Sequence, residues 1–460
     1  MTISTEFQCL DNDLSKPPID QQGDMPVSRP KTSWEWLEHG MDPRLGPVSR
    51  EHGLMFDPRA MRDARVVLPE SWLCLWRELP DHFINKRIRD LVIQEIGALD
   101  VDAIYAECRD DPLAFMKTKS IVFCIAQGCI DFDRVIAQEM AEPEPLPEQL
   151  QSVMNRFAEL CHCPDYCALA DMSLTASVLV NDDSDLLNCT FDDFKLICPV
   201  NNAPTQEEVE RDDLEPSRIR GQAENRFHNT PTMMEYRVSD LVDIVATTQR
   251  AIYDYKVSSS SKEQEQLVEV ILDQIARAKA SFKRLCKGFA LLSKKTVDPV
   301  VWHRDIVKYT SGYGGHLGLS GPQTPCVHLI DAFLGRKTFT TELGKTSLKA
   351  FTQTQDNHQR FILSVASGPQ LRKFAEDCSA ERFDHPVALA FNDLVDSYIK
   401  GFLGMHKGRA IEFAKVGFTE AGPREFTAET EYEWPSPENV VTKLKRFFDE
   451  AARERDQVKV

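Results

Sequence analysis

The chain has 460 residues, with 72 acidic against 54 basic side chains and a formal net charge of −18 at pH 7. A chain of this length can bury a large core and form about two or three structural units. Its acidity argues against binding to nucleic acid or to anionic membrane surfaces, both of which favour basic patches. We therefore predict a soluble acidic protein.

Targeting and redox features favour the cytoplasm. No apolar run reaches the ~18 to 20 residues that a membrane helix needs. Acidic residues, among them Asp11 and Asp13, occupy the segment where a signal peptide would be apolar. The 13 cysteines form an odd set without regular spacing, which predicts reduced thiols and no disulfide framework. We expect a cytoplasmic protein that contacts neither nucleic acid nor a membrane.

The first half of the chain is predicted to be mainly helical. Residues 1–50 are rich in Pro, Asp and Ser and lack periodicity, which predicts an extended or disordered N-terminal arm. Residues 51–200 are expected to form a small helical domain, because apolar positions recur at three and four in LPESWLCLWRELP, IRDLVIQEIGAL, LQSVMNRFAELCHC and YCALADMSLTASVLV. The polar stretch 201–235 carries charges of both signs and predicts a mobile acidic loop or insertion.

Residues 236–420 are predicted to form a large helical domain. Helical periodicity runs through VSDLVDIVATTQRAIYDY and QLVEVILDQIARAKASFKRLCKGFALLS, and it resumes in short helices around 327–334 and 348–365. Residues 421–460 are expected to be a C-terminal tail with a helix. Few stretches alternate with period two, so the predicted fold class is all-α.

A long helix is predicted from about residue 386 to 416, with Asp384 as its N-cap and Pro386 in its first turn. Its apolar stripe comprises Phe391, Val395, Ile399, Phe402, His406, Ala410 and Phe413. The only polar member is His406. A buried imidazole needs partners for its ring nitrogens, since an unsatisfied buried polar group costs roughly 1–3 kcal/mol. A metal or haem iron is one partner, and a core histidine bonded to a carbonyl and a hydroxyl is the alternative.

Three glycines, Gly401, Gly404 and Gly408, lie on another side of this helix. Each costs roughly 1 kcal/mol of helix stability relative to Ala, so we expect a neighbouring helix to approach closely there.

A glycine-rich segment, SGYGGHLGLSGPQTP, occupies residues 311–325. It is not a phosphate loop, because Pro322 and Gln323 follow Gly321 in place of the required Lys and Ser or Thr. It is not a dinucleotide loop either, because no β-branched strand precedes it.

This segment and its flanks resemble the indoleamine 2,3-dioxygenase family. The matching positions are Pro299, Tyr309, Ser311 and Gly312 at a helix end, Gly318, Ser320 and Gln323 in the loop, and Asp331, Leu334 and Gly335 after it. Further segments match in the same order: CALADM at 167–172, VSDLVDI at 238–244 and NHQRFI at 357–362. The resemblance covers roughly residues 69–415.

The resemblance implies an indoleamine 2,3-dioxygenase-like helical fold, with a smaller N-terminal helical domain and a larger haem-binding domain. It implies that His406 is the proximal ligand of haem b iron, and that Leu403 and Asp331 lie at the cofactor. The glycine-rich loop would close over the distal pocket, where glycines let backbone pass close to a flat ligand. The implied reaction is haem-dependent insertion of O2 into an indole or related aromatic substrate, with an electron donor that reduces the haem.

On the distal side the resemblance implies a catalytic role for Ser239, and His303, which flanks the same region in place of a family phenylalanine, is a candidate for substrate contact or proton transfer. The implied substrate contacts are Tyr236, Trp302, Val307, Ser320 and Gly321. An N-cap role for Ser239 and a surface or structural role for His303 are the alternatives.

The chain departs from the family at two arginine positions. Val307 stands where the family has its substrate-carboxylate arginine, and Leu403 where it has an arginine near a haem propionate. Without a bidentate guanidinium, binding of an α-carboxylate is weaker, so we expect a substrate other than simple free L-tryptophan. The alternatives are a haem-dependent mono-oxygenase or peroxide-using aromatic oxygenase of the same fold, a non-catalytic haem-binding protein, and an all-α interaction protein that has lost haem.

The string CHCPDYC places three cysteines and a histidine within residues 161–167, which is compatible with a zinc site. A structural zinc site normally needs a second ligand pair, and we find no convincing one. Buried apolar cysteines are therefore expected.

Overall fold

A computed structural model of the chain describes residues 31–39, 41–84, 88–137, 145–306, 321–421 and 437–460. The predicted substrate contacts Val307 and Ser320, and most of the glycine-rich segment, lie outside the described residues. The described chain is mainly helical with one small sheet, which confirms the all-α class.

The N-terminal helices agree with the sequence patterns. They are α1 (Ser33–Glu38), α2 (Pro58–Asp63), α3 (Glu70–Arg77), α4 (Leu79–Ile84), α5 (Ile88–Glu95), α6 (Val101–Glu107), α7 (Pro112–Ala137) and α8 (Glu148–Cys161). Short 3-10 turns lie at Pro43–Leu45 and Ile96–Ala98.

A π-helical turn at Ala170–Leu174 precedes a two-stranded antiparallel sheet, in which β1 (Ser177–Leu179) pairs with β2 (Phe194–Leu196). Two 3-10 turns, Leu186–Asn188 and Phe191–Asp193, lie between the strands. The predicted helix over YCALADMSLTASVLV is therefore wrong in its second half. The three residues of β1 alternate between buried and half-buried and pair with β2, so strand geometry prevails over the apparent helical spacing.

The C-terminal part contains the longest helices. They are α9 (Gln206–Glu210), α10 (Glu215–Arg237), α11 (Leu241–Val257), α12 (Ser261–Leu291), α13 (Pro299–Val301), α14 (Pro325–Phe333), α15 (Glu342–Phe351), α16 (Asp356–Ser367), α17 (Leu371–Glu381), α18 (Pro386–Asp396), α19 (Gly404–Ala421) and α20 (Pro437–Asp456). A 3-10 turn lies at Gly321–Gln323, and a π-helical turn at Trp302–Ile306 follows α13.

A third π-helical turn, Ser397–Leu403, joins α18 to α19, so residues 386–421 form the predicted long helix. Pro386 lies in its first turn as expected, but the N-cap is His385 and not Asp384. The Nδ1 of His385 accepts the Val387 N–H at 3.2 Å.

The expected extended arm is wrong for residues 33–38. Thr32 and Glu35 form a capping box that starts α1. The helix then buries Trp36, which is 2% exposed and packs edge-on against Phe361 with ring centroids 6.4 Å apart. This segment is part of the core.

The expected loop at 201–235 is wrong for α10, which is 23 residues long. Most of its buried side chains are polar. Asn229, for example, is fully buried, and its Nδ2 donates to the Phe194 carbonyl at 2.9 Å. Sequence patterns assign polar residues to the surface, whereas here the hydrogen bonds of the buried face satisfy them.

Buried apolar side chains form two clusters. One lies within residues 56–200 and includes Trp72 and Phe123. The larger one joins Trp36 and residues near the sheet to the helices that follow residue 223. The domain boundaries stay a prediction.

Within α7, Pro112–Ile130 has the length and composition of a membrane span, but 94% of it is buried inside the protein, as in the core helix of a soluble protein.

Candidate functional site

His406 lies on α19 among aromatic rings. The ring centroids of Phe289, Phe402 and Phe448 lie 5.1, 5.8 and 5.0 Å from that of its imidazole. Burial, followed by the charge of Arg455, lowers the pKa of His406 to about 4. The imidazole is therefore neutral at pH 7 and has a lone pair available for a metal.

The ring nitrogens of His406 have no hydrogen-bond partner among the described residues. Two other buried histidines show the alternative arrangement: Nε2 of His328 donates to the Pro322 carbonyl at 2.6 Å, and Nε2 of His358 to the Pro47 carbonyl at 2.9 Å. A core histidine bonded to a carbonyl therefore describes His328 and His358 but not His406.

The apolar stripe of the long helix is only partly buried at His406. Phe402 and Phe413 are buried on either side, whereas His406 and Ala410 keep accessible surface. His406 thus lies deep enough for its pKa to fall and still has a partly open side. This combination is suited to an inserted ligand.

Asp331, predicted to lie at the cofactor, is paired with two arginines. Its carboxylate accepts from Arg455 Nε at 2.9 Å and Nη2 at 2.7 Å, and from Arg336 Nη1 at 2.6 Å. Burial alone would raise the pKa of Asp331, but Arg455 and Arg336 lower it. Leu403 is buried in the larger core. Arg455 from α20 therefore supplies a positive charge near His406, although position 403 does not.

Helix α10 connects several predicted site segments. Its Thr232 Oγ1 donates to the Ser173 carbonyl at 3.0 Å, and Phe227 lies 5.8 Å from Trp302 between ring centroids. Glu235 accepts the Cys326 N–H in the first turn of α14 at 2.7 Å. The helix thus contacts two of the three π-helical turns, and such turns are frequent at functional sites.

Trp302 and His303 lie on the second of these turns. Trp302 is 7% exposed and packs edge-on against Phe413, with ring centroids 5.5 Å apart. Phe413 is two helical turns after His406, on the same face of α19. The structure therefore brings Trp302 to the helix face that carries His406. His303 is fully buried, with its ring centroid 6.5 Å from that of Trp302.

Ser239 lies between α10 and α11. The N-cap of α11 is Asp240, so the N-cap alternative for Ser239 is wrong. A Cβ at Gly53 would lie 2.7 Å from the Ser239 carbonyl oxygen, which shows how closely Gly53, at φ +64°, packs on this backbone. The Ser239 hydroxyl has no hydrogen-bond partner in the described part of the chain. It is therefore available to a ligand.

The side chain of Tyr236 makes contacts within the folded core. Its hydroxyl donates to the Phe56 carbonyl at 2.9 Å, and its ring stacks on Phe194 with centroids 5.4 Å apart. A substrate contact by Tyr236 stays a prediction, and its hydroxyl has a structural partner.

The described end of the glycine-rich segment is hydrogen-bonded to the residues that precede the first π-helical turn. Gln323 Oε1 accepts the Leu169 N–H at 2.9 Å, just before the Ala170–Asp171 pair. Gly321 is exposed, and no described heavy atom lies within 4 Å of a Cβ built there. The substrate contact predicted for Gly321 stays a prediction.

We expected a neighbouring helix to approach closely at Gly401, Gly404 and Gly408, and the structure shows such an approach at Gly401 alone among these three. A Cβ at Gly401 would lie 2.9 Å from Cys286 Sγ of α12. At Gly404 the nearest atom is the Ile399 carbonyl at 3.7 Å, and Gly408 meets none within 4 Å among the described residues.

The cysteine-rich string ends α8. His162 adopts φ 47° as the C-cap of that helix, and Cys161 and Cys167 are buried as expected. No group of three or more His, Cys, Asp or Glu side chains in the described chain is placed to hold a metal ion.

No protein-family model and no curated protein matches this chain.

Sequence reasoning missed Arg455 and Glu235. Arg455 lies in a segment interpreted as a tail, and it meets Asp331 124 positions away. A signal for Glu235 was present, because a helix over this stretch places His228, Thr232, Glu235 and Ser239 on one face.

Proposed function

We propose that this chain is a cytoplasmic, haem-dependent oxygenase that inserts O2 into an indole or a related aromatic substrate. The observation that carries the proposal is the neutral imidazole of His406, which lies among three phenylalanine rings without a hydrogen-bond partner in the described residues.

The residues around His406 are of the kinds that would hold haem b. A haem needs an axial ligand, an apolar surround and positive charge for its propionates. His406 would supply the ligand, and Phe289, Phe402 and Phe448 the apolar surround. The candidates for positive charge are Arg455, which is paired with Asp331, and Arg409, which is paired with Glu412 and whose buried Nε has no partner in the described chain.

Bound haem supplies the chemistry that activates O2 toward an electron-rich aromatic ring. The chain's own residues orient the substrate and exclude water. Trp302 and Phe413 present an apolar wall against which a flat ring packs by edge and face contacts. The Ser239 hydroxyl, which the resemblance assigns to the distal side, would donate or accept a hydrogen bond there.

Haem binding through His406 is tested by reconstitution of the full-length protein with haemin. We expect a Soret band in the parent protein and its loss in His406→Ala, with helical content by circular dichroism retained. His358→Ala removes a buried imidazole that donates to the Pro47 carbonyl, and this variant should keep the Soret band. An unchanged spectrum in His406→Ala would refute the ligand assignment.

The reaction is tested with the reconstituted protein, a reductant, 18O2 and 3-methylindole. Two labelled oxygen atoms in a ring-opened product are expected for a dioxygenase. One labelled atom would replace the dioxygenase by a mono-oxygenase of the same fold. A protein that binds haem and oxidises no indole would overturn the enzymatic proposal in favour of a haem-binding protein.

A further inference from the structure

A buried ion pair lies among cysteines in the core of residues 56–200. Lys119 of α7 and Asp171 of the first π-helical turn are 1% and 3% exposed, and Nζ lies 2.7 Å from Oδ1. The other oxygen of Asp171 accepts the Ala168 N–H at 3.2 Å, and the Ser120 hydroxyl lies 3.5 Å from Oδ1. The carboxylate is therefore shared among several donors.

The ammonium group of Lys119 is shared in the same way. Of its three N–H groups, Asp171 accepts one. The ring of Phe123 covers another side, with its centroid 4.7 Å from Nζ. The other groups that act on the Lys119 charge are the thiols of Cys163 and Cys161. A positive charge inside the protein thus lies beside two thiols.

The end of α8 holds these two thiols in place. Cys161 is the last residue of the helix, His162 is its C-cap at φ 47°, and the Cys163 N–H donates to the Ala158 carbonyl at 3.1 Å. Cys161 is buried, and its Sγ lies 3.7 Å from Met116 Sδ, whereas Cys163 is half-buried. Cys163 is therefore the thiol that solvent reaches.

The two thiols differ in acidity. The hydrogen bond from Cys161 and the charge of Lys119 lower the pKa of Cys163, although burial acts in the opposite direction. The same hydrogen bond and burial raise the pKa of Cys161. A thiol that is acidified by a lysine and reached by solvent is the usual setting of a reactive cysteine.

Other cysteines in the same core show the inert alternative. Cys124, Cys167 and Cys198 are buried. The Cys124 thiol donates to the Asp171 carbonyl and the Cys167 thiol to the Ala168 carbonyl, each at 3.9 Å. Burial raises the pKa of Cys167. These thiols have the protonated, enclosed state of structural cysteines.

We propose that Cys163 is a redox-reactive thiol that hydrogen peroxide oxidises, and that Cys161 then forms a disulfide with it. The Cys163 thiolate attacks one peroxide oxygen and the O–O bond breaks, which gives a sulfenic acid and hydroxide; the hydroxide takes up a proton to become water. The Cys161 sulfur next attacks the Cys163 sulfur, the S–O bond breaks, and the hydroxyl group leaves as water with the Cys161 proton. Two thiols are oxidised and one peroxide is reduced to two waters. Neither haem nor an indole takes part, so this site is independent of the proposed function.

The first test compares the iodoacetamide alkylation rate of each cysteine in the folded full-length protein and in the same protein unfolded in urea, near neutral pH, by peptide mass spectrometry. Burial slows the alkylation of any thiol, so only a stabilised thiolate reacts faster in the folded state. We expect Cys163 to react about threefold or more faster when folded. Cys124, Cys167 and Cys198 should react more slowly when folded. A slower folded-state rate for Cys163 would overturn the proposal and show a protonated thiol that donates to the Pro164 carbonyl at 3.5 Å.

A double variant tests the source of the reactivity. Lys119→Met with Asp171→Asn removes both charges of the ion pair, so that neither is left buried without a partner. Cys163 should lose its folded-state acceleration, while slow alkylation of Cys124 and Cys167 shows that the core is still folded. An acceleration that persists in this variant would overturn the role of Lys119.

Peroxide oxidation is measured on the full-length protein without added haem, because haem itself reacts with peroxide. We expect the peptide that carries Cys161 and Cys163 to lose the mass of two hydrogens, and dithiothreitol to restore them. In Cys161→Ser the sulfenic acid of Cys163 should persist and react with dimedone. In Cys163→Ser neither product should form. An unoxidised parent protein, or a disulfide that joins other cysteines, would overturn the proposal.

Discussion

Arg455 and Asp331 form a bidentate ion pair inside the protein, with Nε–Oδ1 and Nη2–Oδ2 distances of 2.9 and 2.7 Å. The pair fastens α20 to α14. Arg455 also lies near enough to His406 to lower the imidazole pKa. The C-terminal helix is therefore a wall of the candidate site and not an appended tail.

Replacement of Arg455 by Leu should lower the free energy of unfolding by about 3–5 kcal/mol, because it leaves a buried carboxylate short of one partner. Arg336 still donates to Asp331 at 2.6 Å, so we expect a value at the lower end of that range. Urea unfolding followed by circular dichroism measures the change.

The control is Arg453→Leu on the same helix, since Arg453 is exposed and its Nε reaches only the Asp449 carbonyl at 3.2 Å. We expect a change within about 0.5 kcal/mol for this variant. Equal changes in the free energy of unfolding for the two variants would show that the buried ion pair contributes no more to stability than an exposed arginine.

Gly53→Ala should destabilise the protein by roughly 1–3 kcal/mol and displace Ser239, because the new Cβ meets the Ser239 backbone. Gly53 has φ +64°, and its Cβ would lie 2.7 Å from the Ser239 carbonyl oxygen. Gly97→Ala is the matched control, since no described atom lies within 4 Å of a Cβ there. Thermal unfolding of both variants decides the point, and a Gly53→Ala protein as stable as Gly97→Ala would contradict it.

The sequence predicted those helices whose buried face is apolar. The stripe from Phe391 to Phe413 identified both the long helix and His406, because apolar residues at helical spacing mark a core face. The same reasoning failed for α10. Its buried face carries Asn229, Thr232 and Glu235, and a polar stretch looks like a surface loop when burial is unknown.

Contacts between distant segments could not be predicted from spacing. The Glu235–Cys326 hydrogen bond joins residues 91 positions apart, and the Asp331–Arg455 pair joins residues 124 positions apart. A local pattern carries no information on such pairs. Whether a buried histidine has a partner is likewise a property of the fold, as the contrast between His406 and His358 shows.

The protein should lose stability as the pH falls from about 6.5 toward 4. Burial lowers the pKa of His228, His328 and His358 to about 4 each. An unfolded imidazole titrates near 6.5, so in this window the unfolded state binds more protons and acid favours it. Each group can contribute on the order of 3 kcal/mol. The two buried glutamates have the opposite effect on stability. The pKa values of Glu224 and Glu235 are raised to about 7, so their protonated forms stabilise the folded state at low pH, and this contribution is lost as the pH rises toward 7.

Urea midpoints measured between these pH values test this balance. In His358→Gln the amide can still donate to the Pro47 carbonyl but does not titrate, so the pH dependence should be weaker than in the parent protein. An identical pH dependence would show that His358 protonates normally in the folded state.

Two buried tyrosines should respond in opposite ways to loss of the hydroxyl. The Tyr398 hydroxyl has no partner among the described residues, whereas that of Tyr236 donates to the Phe56 carbonyl at 2.9 Å. Tyr398→Phe should therefore raise the free energy of unfolding by roughly 1 kcal/mol, because it removes a desolvated polar group, and Tyr236→Phe should lower it by about the same amount. Both rings are almost completely buried, at 0% and 1% exposure, so their packing is a matched background. Chemical denaturation of the two variants measures the difference. A Tyr398→Phe protein that is less stable than the parent would show that the Tyr398 hydroxyl is hydrogen-bonded within the fold.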